Sequence, residues 1–341
     1  MRFLPVLLAA LGAFAAAGPA HAQTVIAHRG ASGERPEHTL AAYERAIDAG
    51  ADFIEPDLVA TKDLVLVARH ENELSDTTDV AAREEFADRR KTAEIDGRLV
   101  SGWFAEDFTL AELRTLRAKE RLGVLRRGNM RYDGLYQVPT FHEIVTLVRA
   151  KVAESGRAVG LYPELKHPTY LLQQGIDTVD LFVRALKTEG LDGKTVPMFV
   201  QSFDIAPLKR LDRLTDLPLV QLVAAEGGPA DEAGMTYAGM IAPAGLAEIA
   251  GYADAIGVDT RLVVTADGKP TGLVDAAHEA GLKVHAWTLR KENAFLPAPF
   301  RKGGGEAAAG DYAAAFGALA ATGVDGIFTD DPALAVPLRK R

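Results

Sequence analysis

Polar residues suited to acid–base and metal chemistry end or interrupt several short apolar runs of the chain: His28, Glu55, Asp57, His70 and Glu164. Glu55 and Asp57 are two positions apart, as are Glu164 and Lys166. Because side chains alternate along a strand, each pair lies on one face. If that face is the interior of a barrel, three carboxylates and a lysine converge near two histidines.

The carboxylates Glu55, Asp57 and Glu164 predict a metal site. Carboxylates that share one dry pocket repel each other and raise their own pKa values unless a cation lies among them. Oxygen ligands suit a hard ion such as Ca²⁺ or Mg²⁺, although neutral His28 or His70 nearby would also tolerate Mn²⁺ or Zn²⁺. The alternatives are an exposed salt bridge for Glu55 and Asp57, and a buried ion pair for Glu164 with Lys166.

The two histidines and the nearby cations indicate phosphoryl transfer. Histidine titrates near neutral pH, so His28 and His70 suit general acid–base catalysis. Arg29 stays protonated and presents a fork that matches a phosphate or a carboxylate. With Lys166 it would stabilise charge on phosphate oxygens, while one histidine removes a proton from the attacking hydroxyl and the other protonates the leaving alkoxide. Trp287 is predicted to form an apolar wall for substrate carbons, with packing inside the barrel as the alternative.

The elements that must position these residues alternate between short strands and helices, as in stacked βα units. Nine strands are predicted, at residues 25–28, 53–58, 65–70, 160–166, 198–203, 219–223, 255–259, 283–289 and 326–330. The strand at 65–70 follows its predecessor by a tight turn, too short for the crossover that parallel neighbours need, so it is a hairpin accessory. The remaining strands predict an α/β fold, a TIM (β/α)₈ barrel, with active-site residues at the carboxyl ends of its strands.

Residues 71–138 interrupt this alternation and are predicted to be a small insertion on the top face of the barrel. Within them, residues 114–131 hold seven basic residues and one acidic residue. We interpret this segment as a solvated helix face and loop; the alternative is a lid whose charge attracts an anionic substrate.

Some polar residues receive a structural interpretation. Asp330 and Asp331 are interpreted as the cap of the final helix, although a hydrogen bond to substrate stays open. Four further histidines are assigned no chemistry: His38, His142, His167 and His278.

The composition narrows the class of protein. The chain has 341 residues, a formal net charge of −9 and no cysteine, which excludes disulfides, cysteine-based metal sites and thiol nucleophiles. The net acidity argues against nucleic acid as a partner. Residues 1–22 resemble a signal peptide that is cleaved before Gln23, since a short apolar run precedes Ala20-His21-Ala22. We therefore expect a periplasmic protein, with residues 23–341 as the mature chain and no stable membrane anchor.

Motifs along nearly the whole mature chain resemble the glycerophosphodiester phosphodiesterase family, in particular its bacterial periplasmic branch. They are His28-Arg29-Gly30, Pro36-Glu37-His38-Thr39, Glu55-Pro56-Asp57, Arg69-His70, Gly102-Trp103-Phe104, Pro163-Glu164-Leu165-Lys166, Gln201-Ser202-Phe203, His285-Ala286-Trp287 and Phe328-Thr329-Asp330. The family usually has aspartate after the second histidine, where this chain has Glu71. That departure leaves the orientation of His70 open.

The resemblance implies a divalent metal on Glu55, Asp57 and Glu164, commonly Ca²⁺, with His28 and His70 as the acid–base pair. It implies hydrolysis of a small-molecule glycerophosphodiester, such as glycerophosphocholine or glycerophosphoethanolamine, to sn-glycerol 3-phosphate and an alcohol. Two rival hypotheses are a related barrel phospholipase that acts on intact lipids and a non-catalytic phosphodiester-binding protein.

Overall fold

The protein is an α/β barrel. The computed structural model describes residues 23–191, 193 and 195–339. The predicted signal segment, residues 1–22, lies outside them. The strands are β1 Thr24–Ala27, β2 Phe53–Ile54, β3 Asp57–Ala60, β4 Leu66–Ala68, β5 Lys91–Ile95, β6 Arg98–Gly102, β7 Gly160–Leu161, β8 Glu164–Leu165, β9 Val200–Ser202, β10 Leu219–Val223, β11 Ala255–Asp259, β12 Lys283–Leu289 and β13 Gly326–Thr329.

The barrel strands are parallel, and they close into a barrel. The order runs β8-β9-β10-β11-β12-β13-β1-β2-β7, and a bridge from Leu161 to Met198 joins β7 to the segment before β9. β2 and β3 are two pieces of one barrel strand that Pro56 interrupts, as β7 and β8 are of the next, because Pro163 interrupts it. Proline lacks the N–H that continues a ladder, which accounts for both breaks. The predicted TIM barrel is confirmed.

Helices alternate with the barrel strands. The helices are α1 Leu40–Asp48, α2 Leu110–Leu113, α3 Phe141–Ser155, α4 Pro168–Gln173, α5 Thr178–Glu189, α6 Ile205–Asp212, α7 Tyr237–Met240, α8 Pro243–Ile249, α9 Leu273–Glu279, α10 Tyr312–Ala321 and α11 Pro332–Ala335. The exceptions to the alternation are α2, which lies within the segment that interrupts it, and α11, which follows the last strand. α1 begins where Thr39 accepts a hydrogen bond from the Ala42 N–H, and it buries Tyr43 and Ile47. None of the helices in the described ranges has the length and apolarity needed to span a membrane.

The chain between β3 and α3 carries structure in addition to the barrel. β4 pairs antiparallel with β3, as predicted for the hairpin accessory, and β5 and β6 form a second hairpin that the sequence analysis missed. The same segment also contributes to a separate apolar cluster, which includes Val59, Val67, Trp103 and Phe108. Since Val59 and Val67 belong to β3 and β4, this cluster anchors the added segment to the barrel.

Candidate active site

The three predicted metal ligands meet at the carboxyl ends of the barrel strands. Oxygen atoms of Glu55, Asp57 and Glu164 lie within 4.8 Å of one another, and all three side chains are buried. Asp57 begins β3 and Glu164 begins β8, and these strands pair with the two residues in register. Glu55 lies in the break between β2 and β3, where its Oε1 accepts a 2.7 Å hydrogen bond from the Gln201 amide.

The electrostatics of this cluster fit a divalent cation. Burial, reinforced by the neighbouring carboxylates, raises the pKa of Glu55 well above its usual value. Burial raises the pKa of Glu164 to about 7, although Lys166 opposes it. Asp57 Oδ1 is buried and has no hydrogen-bond partner among the described residues. A cation bound among these oxygen atoms would give Asp57 Oδ1 a partner and would offset the repulsion among the three carboxylates.

His28 is held by a carboxylate from the opposite end of the chain. Its Nδ1 lies 2.6 Å from Asp330 Oδ1, and because a carboxylate accepts, Nδ1 carries the proton. This leaves Nε2 unprotonated, 4.0 Å from Glu55 Oε2. Burial and the charge of Arg29 lower the pKa of His28 to about 4, against the opposing effect of Asp330. The interpretation of Asp330 as a helix cap is therefore wrong, since its carboxylate faces the barrel mouth and α11 begins after Asp331.

Arg29 lies among carboxylates. Its backbone N–H donates to Glu55 Oε2 at 3.1 Å, and its Nη1 donates to both carboxylate oxygens of Glu37 at 3.3 Å. Its Nε lies 3.4 Å from Asp57 Oδ2. The next residue, Gly30, has a φ of +83°, and a Cβ there would approach the Ala42 backbone to 2.6 Å. The tight turn after β1 therefore requires glycine, and it aims His28 and Arg29 into the site.

His38 is a site residue that the sequence analysis missed. It is fully buried, its Nε2 lies 3.1 Å from Asp57 Oδ2, and its Nδ1 lies 2.7 Å from the Tyr43 hydroxyl. Burial would raise the pKa of Asp57, but His38 and Arg29 outweigh it and hold the pKa below its usual value. The signal was the adjacency of His38 to Glu37 in the Pro-Glu-His-Thr segment.

His70 follows β4, the second strand of the predicted hairpin, and solvent reaches its side chain. Its side chain is 22% exposed, and Nε2 is 3.4 Å from Glu71 Oε1. Burial, together with the charges of Arg29 and Lys166, lowers the pKa of His70 well below its usual value. His70 is therefore neutral near neutral pH, which suits a proton acceptor.

Glu71 also binds a histidine that the sequence analysis assigned no chemistry. His167 Nε2 lies 2.6 Å from Glu71 Oε2, and His167 Nδ1 lies 2.5 Å from Asp96 Oδ2 in the turn between β5 and β6. The two carboxylates outweigh burial and raise the pKa of His167 to about 9. A protonated His167 thus ties the second hairpin to the barrel beside the site.

The remaining predicted site residues are Lys166, which lies in the carboxylate cluster, and Trp287, which packs against apolar residues of the barrel strands. Lys166 Nζ lies 3.1 Å from Glu164 Oε1. The buried ion pair between these two residues, which the sequence offered as an alternative, is therefore present within the carboxylate cluster. Trp287 is half-buried and packs edge-on against Phe203, with ring centroids 5.8 Å apart. His285, two residues earlier, lies in the barrel core with its Nδ1 2.5 Å from the Tyr162 hydroxyl.

The basic segment at residues 114–131 is partly internal. Arg126 is 6% exposed, and its guanidinium donates to Glu292 at 2.7 Å and to Asp330 Oδ2 at 2.5 Å. Arg121 donates to Glu37 at 3.0 Å. The interpretation of the whole segment as a solvated face is therefore wrong for Arg126, whereas its neighbour Arg127 is exposed.

The fold and the site together define an α/β barrel protein that combines three buried carboxylates, two histidines and the cations Arg29 and Lys166. The chain matches the model of the glycerophosphoryl diester phosphodiesterase family over residues 28–334. It belongs to that family, and it is an enzyme of the glycerophosphodiester phosphodiesterase type. It is 38% identical over 321 residues to a glycerophosphodiester phosphodiesterase of Arabidopsis thaliana, covering 89% of this chain and 82% of that protein.

A second relative agrees with this assignment, and a solved structure shares the fold. A glycerophosphodiester phosphodiesterase of Haemophilus influenzae is 32% identical over 345 residues, covering 93% of this chain and 89% of that protein. A phosphodiesterase of Oleispira antarctica, solved in complex with sn-glycerol 3-phosphate, has the same fold with a TM-score of 0.62 at 21% identity, over 93% of this chain and 96% of that one.

Proposed function

We propose that this enzyme hydrolyses glycerophosphodiesters such as glycerophosphocholine and glycerophosphoethanolamine to sn-glycerol 3-phosphate and an alcohol, with His28 and His70 as the acid–base pair. The observation that carries the proposal is the buried hydrogen bond from His28 Nδ1 to Asp330, because it presents Nε2 beside the carboxylate cluster. A carboxylate that holds Nδ1–H fixes the tautomer and stabilises the imidazolium that forms during proton transfer.

In the proposed reaction, one histidine accepts a proton from the attacking water as the new phosphorus–oxygen bond forms. The other histidine protonates the oxygen of the leaving alcohol as its bond to phosphorus breaks. Arg29 and Lys166 hold the phosphate oxygens. The low pKa values of His28 and His70 leave both neutral in the free site. The histidine that acts as the acid therefore takes up a proton when the anionic phosphate binds, because a nearby negative charge favours the protonated imidazole.

Glu55, Asp57 and Glu164 would hold the divalent ion, which we propose is Ca²⁺, with Mg²⁺ as the alternative. The chemistry that such an ion supplies is stabilisation of the negative charge that develops on the phosphate oxygens. The absence of cysteine and the all-oxygen donor set support a hard ion.

Phosphorus NMR of a reaction mixture tests this function. After removal of metal with a chelator, we expect glycerophosphocholine to persist, and after addition of Ca²⁺ we expect a single phosphorus product with the shift of sn-glycerol 3-phosphate. Phosphocholine as the product would contradict the proposal, because it places cleavage on the wrong side of phosphorus. Intact phospholipid and lysophospholipid in parallel reactions test the rival barrel phospholipase.

We also propose that the enzyme is exported to the periplasm. The support is the sequence pattern of residues 1–22, with its short apolar run and small residues before Gln23. Amino-terminal sequencing of protein from a periplasmic fraction should begin at Gln23. Recovery of the intact amino terminus from the cytoplasm alone would contradict export.

A further inference from the structure

A cavity of about 480 Å³ opens beside the carboxylate cluster. Glu164 and Lys166 line it on the side of the proposed reaction centre, and Asp96 in the turn between β5 and β6 lines it as well. The cavity is thus continuous with the position proposed for phosphate, and the proposed proton transfers do not use it. It has room for one of the two groups that are esterified to that phosphate.

Acidic side chains dominate the lining of this cavity. Seven lining residues are acidic, against Arg98, Lys166 and the protonated His167: Glu71, Glu73, Asp76, Asp96, Glu164, Asp204 and Glu226. The charges of two of these cations are offset by acids of the lining itself, since Lys166 pairs with Glu164, and His167 pairs with Glu71 and Asp96. The remaining acids therefore give the cavity a negative electrostatic potential.

Asp204 is the most informative of these acids. It is 2% exposed, and its Oδ2 accepts a 3.1 Å hydrogen bond from the Thr169 N–H. Within residues 23–191, 193 and 195–339, no basic side chain forms an ion pair with it. Burial, with repulsion from Asp231 and Asp96, raises its pKa to about 6. A buried carboxylate without a cation is costly, and a positively charged ligand would remove that cost.

The other lining groups suit the same ligand. Phe203 and Tyr237 form an aromatic wall, with ring centroids 6.1 Å apart. Asn72 also lines the cavity, is 1% exposed, and has an Oδ1 without a partner among the described residues. Aromatic faces and carboxylates together recognise ammonium groups, through cation–π attraction and charge.

We propose that this cavity binds the alcohol part of the substrate and selects an alcohol that carries a positively charged ammonium group. The inference rests on the proposed function, because phosphate must lie at Arg29 and Lys166 for the alcohol to reach the cavity. Asp204 and Glu226 are then specificity-determining residues, and the glycerol part lies elsewhere in the mouth of the barrel.

The test compares glycerophosphocholine with the uncharged ester in which carbon replaces the choline nitrogen. We expect the wild-type enzyme to prefer the charged ester in kcat/KM by about tenfold, and Asp204→Asn and Glu226→Gln each to lower that ratio several-fold. Glu226 is exposed, so its variant should fold even if the Asp204 variant does not. Asp216→Asn, an exposed acid before β10, is the matched control and should leave the ratio unchanged.

Binding of free choline and of its uncharged carbon analogue, measured by calorimetry, separates this inference from the proposed function. Tighter binding of choline that weakens in Asp204→Asn supports the cavity even if neither ester is hydrolysed. Equal affinity for the two alcohols in the wild-type enzyme overturns the inference. An equal loss of kcat/KM for both esters in the variants also overturns it, because the cavity would then hold the glycerol part that they share.

Discussion

His28 Nδ1 lies 2.6 Å from Asp330 Oδ1, across 302 positions of the chain. The other oxygen of Asp330 accepts from Arg126 and from Arg290. One buried carboxylate thus links the first barrel strand, the last barrel strand and the segment that lies over the barrel mouth. These arginines hold the pKa of Asp330 well below its usual value, against the effect of burial, so it stays ionised and keeps His28 in a single tautomer.

Replacing Asp330 by asparagine should therefore lower kcat/KM by about two orders of magnitude, because the amide no longer fixes the His28 tautomer or stabilises its protonated form. Steady-state kinetics measure the effect, and circular dichroism checks the fold. Asp331→Asn is the matched control, since Asp331 is equally buried but pairs with Lys291 and does not contact His28. Equal losses in the two variants would contradict a specific role for Asp330.

Arg126→Met should destabilise the protein by about 3 kcal/mol, because it leaves Glu292 buried without its ion-pair partner. Urea unfolding gives the free energy of unfolding. Arg127→Met removes the same charge at the adjacent exposed position and should change the free energy little. If the two variants are equally stable, Arg126 does not anchor the segment over the barrel mouth.

The bridge of His167 to Asp96 and Glu71 should make stability depend on pH. The folded state raises the pKa of His167 to about 9, so its contribution is complete below the ordinary histidine pKa and is lost as pH rises toward 9. His167→Asn tolerates the positive φ of 45° at this position. It should cost about 1–2 kcal/mol at pH 6, after discounting for the exposure of Glu71.

The difference in unfolding free energy between wild type and His167→Asn, measured from pH 6 to pH 10, checks this effect. It should shrink steadily as His167 loses its proton. A difference that grows with pH would show that neutral His167, and not its protonated form, supports the bridge.

Divalent ions should stabilise the folded protein through Glu55, Asp57 and Glu164. At an ion concentration about 100 times its Kd, the gain is about 2.7 kcal/mol. Thermal unfolding after chelation, with Ca²⁺, Mg²⁺ or Mn²⁺ added back, measures the gain for each ion. Glu164→Gln should weaken or abolish it, and an undiminished gain in that variant would place the ion elsewhere.

The barrel and much of its site could be predicted from the sequence because local rules apply to them. Period-two alternation places Glu55 with Asp57, and Glu164 with Lys166, on one face of a strand, and the carboxyl ends of parallel strands meet at one edge. The breaks at Pro56 and Pro163 also have a local cause, because proline lacks the N–H that continues a strand ladder, although these breaks were not predicted. The boundaries of the insertion at 71–138 stay a prediction.

The rest depends on contacts that no local pattern encodes. Arg126 reaches Glu292 across 166 positions, and Asp330 reaches His28 across 302. The conformations of loops determine these contacts. In the sequence, His38 cannot be distinguished from a surface histidine of a loop, because only the fold buries it against Asp57. Buried polar groups require hydrogen-bond partners, but the sequence alone does not show which residues the loops bring into contact with them.

The most direct test of the account is the release of sn-glycerol 3-phosphate from glycerophosphocholine by His28→Ala and His70→Ala, with metal present and folding verified. His142→Ala is the control, since His142 is exposed on α3. We expect kcat/KM to fall by about two to four orders of magnitude in each site variant and to stay unchanged in the control. Near-normal turnover in either site variant would contradict the proposed acid–base pair.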